Sequence, residues 1–115
     1  MSRRDFEILI QAQAGDWETW TGLAIAIDES MSIKPEDSIR NAIASLLLSA
    51  NSPKEQAAAA YDVVMTYQAL QDNSAELQQQ RKWSLFGSKK RILDKAHAMM
   101  QRILTAYEYE MNRRL

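Results

Sequence analysis

Asp94 and His97 stand one helical turn apart in Asp94-Lys-Ala-His97, a spacing at which a carboxylate and an imidazole can share a metal ion. Bundle metal sites need such a motif twice, with further carboxylates from other helices. This chain has one histidine and no cysteine, so the expected arrangement is a solvent-facing His97 beside an acidic neighbour, with no metal or cofactor implied. The acid pairs Asp28-Glu29, Glu36-Asp37 and Glu108-x-Glu110 have the residue types for acid and base work. Adjacent or alternate residues on a helix do not face one another, however, and the first two pairs fall where helix ends explain them. Three glycines, at 15, 22 and 87, cannot build a phosphate-cradling loop or a dinucleotide fingerprint, and there is no nucleophile elbow. No catalytic residues are assigned and no enzymatic activity is expected.

The stretch with the most chemical character is Arg81 to Arg91, which carries Arg81, Lys82, Lys89, Lys90 and Arg91 around Trp83 and Phe86, with no anion. Cations attract phosphate, and the aromatics could stack on unpaired bases or insert at a lipid headgroup boundary. Those seven residues are the candidate partner-binding site. The competing expectation is that Trp83, Leu85 and Phe86 fold back to plug the end of a bundle, leaving the cations as a solvated rim. Trp17 with Trp20, and Met99 with Met100, have helical spacing that places them in a core, with Trp20 and Met99 expected inside. A DNA-reading helix-turn-helix over Leu46 to Ala60 is excluded, because its second helix opens Lys54-Glu55-Gln56 and runs into alanines, with little to reach phosphates or base edges.

Helices are the elements available to position these residues. Three Gly and two Pro among 115 residues, with abundant Ala, Gln, Leu, Met and Glu, favour helix throughout. The first helix is expected from Ser2 along Phe6, Leu9, Ile10 and Gln13, ending at Gly15. Asp16 caps the second, with Trp17, Trp20, Ala24 and Ile27 as its stripe. Leu23 to Ile27 alternates as a strand would, but its surroundings offer no partner strand. After a loop at Ser30 to Lys34, Pro35 opens a helix carrying Ile39, Ala42, Ile43, Leu46 and Leu47 to about Ala50. Ser52-Pro53-Lys54-Glu55 is a full start signal, with Glu55 placed to reach the cap's own amide.

The helix from Pro53 carries Ala57 to Ala60 and then the stripe Tyr61, Val64, Tyr67 and Leu70, its small residues let neighbouring helices approach closely, and it is expected to be the central helix. Asp72-Asn73-Ser74 predicts a kink or break, with Asn73 able to cap a new helix. Gly87 suits the left-handed residue after a last turn, and Ser88 can cap the final helix from Lys89 to about Arg113. That helix has two apolar seams: Ile92, Ala96, Met99, Ile103 and Ala106, and beside them Leu93, Met100, Leu104, Tyr107 and Met111. So wide a face implies contact with two other helices, or with one helix and a partner molecule.

The expected architecture is thus a single all-α domain over residues 1–115, a compact bundle of five to six helices. The last helix and the one from Pro53 form its spine. The longest apolar run, Leu23 to Ile27, is far short of the roughly 20 residues of a membrane span. Arg3-Arg4 is followed by acids rather than by a signal core, so a cytoplasmic protein is expected. Residues 1–80 carry five Lys or Arg against twelve Asp or Glu, and residues 81–115 carry nine against three. Either the two portions complement each other internally, or the basic one faces an anionic partner. The functional expectation is a non-catalytic protein-protein interaction module of the small adaptor, chaperone or inhibitor type, with a homodimer possible through the broad last helix. The alternative is an accessory protein that binds nucleic acid or an anionic surface through Arg81 to Arg91, with membrane-surface attachment using the same residues.

Overall fold

The computed structural model describes residue 7, residues 16–30 and residues 33–115. The expected first helix falls mostly outside them. Among the described residues the chain forms four helices and no strand: α1 (Trp17–Ser30), α2 (Pro35–Leu48), α3 (Pro53–Trp83) and α4 (Gly87–Arg114). This corrects the count of five to six helices, and the correction has a definite place. No break occurs at Asp72 to Ser74, where α3 runs on unbroken for 31 residues. Asn73 does not cap a new helix; its Nδ2 donates back to the Ala69 carbonyl at 3.1 Å, inside the preceding turn. The alternating Leu23 to Ile27 segment is helical, as its lack of a partner strand requires.

Capping chemistry sets the other boundaries. Asp16 Oδ1 accepts from both the Thr19 amide and the Thr19 hydroxyl at 3.0 Å, fixing the start of α1. Ser52 Oγ accepts the Glu55 amide at 3.1 Å and Pro53 takes the first helical position. The Glu55 carboxylate reaches one residue further back than expected and accepts the Asn51 amide at 2.7 Å.

α4 is the hub. α1, α2 and α3 all pack principally on it, while α1 and α2 make only light contact with α3. Its buried face comprises Leu93, Ala96, Met99, Met100, Ile103, Tyr107 and Glu110. These meet Trp20, Leu23, Ala24 and Ile27 of α1, Ile39, Ala42 and Ile43 of α2, and Val63, Leu70 and Leu77 of α3 in one core. The buried stripe of α3 runs through Val63, Thr66, Leu70, Asn73, Ser74 and Leu77, so the expected stripe holds only in part: Leu70 is in the core and Tyr67 packs against it, but Tyr61 and Val64 are exposed. Tyr107 donates to the Val63 carbonyl at 3.0 Å and stacks on Tyr67 at 6.0 Å between ring centroids, and burial pushes its hydroxyl pKa up to about 12. Trp20 and Met99 are buried as expected.

The molecule measures 52 × 27 × 21 Å. At about 1.5 Å per residue α3 is about 46 Å long, so only the longest axis can hold it. The connection between α3 and α4 therefore caps one end of an elongated body. Among the described residues no helix is long and apolar enough to cross a membrane.

Candidate functional site

The α3–α4 connection is three residues, Ser84 to Phe86. Ser84 leaves α3 in extended geometry (φ −99, ψ 99), its amide still donating to the Gln80 carbonyl at 3.2 Å. Phe86 is also extended (φ −144, ψ 162), and the reversal is completed by Gly87 at φ 87, a conformation open to glycine and costly for other residues. The left-handed residue thus opens α4 instead of closing α3, and Ser88 is not the cap.

Two extended residues in so short a link throw the side chains outward. Trp83 is 74% exposed, Leu85 68% and Phe86 87%. The plug arrangement therefore does not occur. Leu85 joins the two aromatics and was missing from the candidate set. Its signal was available: an aliphatic residue inside a turn, with no periodic partner on either helix.

The five cations divide into two kinds. Arg81 faces inward across the hairpin: its Nε donates to Asp94 Oδ1 at 2.9 Å, and its Nη1 to Gln78 Oε1 at 2.8 Å and His97 Nδ1 at 3.0 Å. Lys90 pairs with the same Asp94 oxygen at 3.3 Å. Lys82, Lys89 and Arg91 are exposed and make no ion pair among the described residues. From Leu77 to Leu93 the chain contains no Asp or Glu, and the carboxylate that follows, Asp94, is engaged by Arg81 and Lys90. Of the seven candidates, then, Lys82, Trp83, Phe86, Lys89 and Arg91 form the outward tip, Lys90 borders it, and Arg81 braces the hairpin from within.

His97 is not the solvent-facing residue expected from its position. It is half-buried against Arg81, and burial first, then the Arg81 charge, holds its imidazole below the ordinary value despite Asp94. With Nδ1 accepting from Arg81, the ring proton sits on Nε2, so the Gln101 amide nitrogen 3.4 Å away is a second donor and not its partner; that amide instead donates to Ser74 Oγ at 2.8 Å. The Arg81 hydrogen bond, backed by Lys90, keeps the Asp94 carboxyl below its usual range. This network ties α3 to α4. Asp94 faces Arg81 and not His97, and no group of three or more His, Cys, Asp or Glu able to hold a metal occurs among the described residues.

Internal compensation of charge is incomplete. Arg102 of α4 forms a two-pronged pair with Glu36 of α2 at 2.9 and 3.0 Å, joining the basic portion to the acidic one and holding the Glu36 carboxyl low. Glu110 is buried, which would raise its pKa, but Arg113 and Arg114, each at 3.0 Å, more than offset that. These last pairs lie wholly within the basic portion. None of them reaches the tip.

An open cleft of about 610 Å³ lies between α2 and α4, lined by Glu36, Asp37, Arg40, Arg102, Tyr109 and Glu110. Its charges neutralise one another pairwise, Asp37 with Arg40 and Glu36 with Arg102, and it presents no activated nucleophile. A scan against protein-family models finds no match, and searches of curated proteins and of solved structures find none either.

Proposed function

We propose that the protein is a non-catalytic helical module that docks onto an anionic partner surface through the tip of the α3–α4 hairpin. The observation that carries this reading is the joint exposure of Trp83, Leu85 and Phe86 among Lys82, Lys89 and Arg91, cations with no carboxylate of their own. Leaving three large apolar side chains in water is unfavourable by roughly 1.5–3 kcal/mol each relative to burial, so a partner that covers them gains that driving force. The broad apolar face of the last helix no longer argues for a separate protein partner or a homodimer, because α1, α2 and α3 cover it.

Retention on phosphocellulose at low salt tests the reading. The wild-type chain is expected to bind and to elute with salt. Replacing Lys82, Lys89 and Arg91 together by Gln should move elution to markedly lower salt, whereas Arg81→Gln should leave it almost unchanged. A chain that flows through at low salt refutes the proposal.

A further inference from the structure

Resting on that docking reading, we infer that the anionic surface is a lipid bilayer, entered end-on by Leu85 and Phe86. The shape of the tip separates this partner from the others that share its charge. A single-stranded nucleic acid is held along a groove whose cations follow the backbone and whose aromatic faces stack successive bases. Here the apolar group is convex, sits at the end of a 52 Å body, and includes Leu85, which has no ring face. A folded protein partner would have to supply a concave wall shaped to this convex apex. A bilayer deforms around a convex probe and demands no matching wall.

The depths also agree. Leu85 and Phe86 form the apex, Trp83 ends α3 just behind them, and Lys82, Lys89 and Arg91 lie within about one helical turn of the connection. With the apex about 5–10 Å into the headgroup boundary, the indole lies at the depth tryptophan prefers and the cations meet lipid phosphates. Glu76 is seven residues behind Trp83, about 10 Å along the helix and so about one screening length from the surface. The acidic bulk of residues 1–80 would be repelled by a flat approach. The end-on orientation brings Lys82, Lys89 and Arg91 to the surface together with the exposed apolar side chains, and it keeps the acids of residues 1–76 away from it.

The test is flotation of the full chain with vesicles of phosphatidylcholine alone and of phosphatidylcholine with phosphatidylserine, alongside quenching of tryptophan by brominated lipid. Binding is expected to the phosphatidylserine vesicles, with quenching carried by Trp83, since Trp20 is buried and Trp17 half-buried. Trp83→Phe should abolish the quenching. Leu85→Ser with Phe86→Ser should weaken partition more than about tenfold. The Lys82, Lys89 and Arg91 to Gln triple variant should weaken it about 100-fold. All these side chains are exposed, so thermal melts of the variants should match wild type and separate lost binding from lost folding. Retention on phosphocellulose without vesicle binding, or vesicle binding indifferent to the tip variants, overturns the lipid assignment while leaving the docking reading in place. Failure on both supports ends both proposals.

Discussion

Substituting proline for Ser74 asks whether α3 is one rod or two segments meeting at Asp72 to Ser74. If Asn73 capped a new helix, position 74 would be its first residue, where proline is well tolerated. In the continuous helix, the substitution removes an amide that bonds the Leu70 carbonyl and drives the proline ring into that carbonyl, at a cost of about 3 kcal/mol or more. Leu70 is 1% exposed and locked in the core, so the turn has little room to relax. Proline also loses the Ser74 Oγ contact with Gln101, worth about 1 kcal/mol. Ser74→Ala suffers only that second loss and serves as the reference. At about 3–6 °C per kcal/mol for a domain of this size, Ser74→Pro should melt at least about 10 °C below Ser74→Ala by circular dichroism. Two variants that melt within a few degrees of each other would show that α3 is jointed, and a jointed α3 could not hold the Trp83 tip at the end of the molecule.

Two further outcomes follow from local geometry. Because burial and Arg81 depress His97, its proton affinity is lower folded than unfolded, so its stabilising contribution is present above about pH 6.5 and is lost as pH falls through the folded value. Wild type should therefore lose more melting temperature than His97→Gln between about pH 7 and pH 5, while the depressed Asp94 carboxyl acts only at lower pH; parallel profiles would contradict this. Gly87→Ala should destabilise by about 1–2 kcal/mol purely through the φ of 87, since an added Cβ would meet nothing within 4 Å; a D-alanine introduced by chemical synthesis should recover the loss.

The starts of α1, α2 and α3 were legible because they are written in local chemistry: Asp16, Pro35, and Ser52 with Glu55 each act within a few residues, whereas Gly87 opens α4 and does not close α3 as expected. The pairing of Arg81 was not legible. Its partners Asp94 and His97 are 13 and 16 positions away and meet it only when α3 and α4 lie in one register. The first half of the α3 stripe was misread because Tyr61 and Val64 share helical spacing with Tyr67 as well as Val63 shares it with Thr66 and Leu70. Which set is buried is decided by α4, and not by α3 itself. Asn73 misled for a related reason, since the same side chain that caps helices can bond back into the preceding turn. The tip stood out by composition, but whether its aromatics turned in or out depended on the length and extended dihedrals of Ser84 to Phe86, which composition does not encode.

The central place of α4 bears on how the protein comes to be folded on the ribosome. α1, α2 and most of α3 are synthesised before the surface they pack on exists. Until Leu93 to Tyr107 have emerged, Trp20, Ile39, Ile43 and Leu77 have no common core to enter. The nascent helices can form only marginally alone, because isolated helices of this kind draw most of their stability from packing. Folding is thus expected to be a late, cooperative event triggered by the arrival of α4, with the earlier helices exposed to chaperones until then.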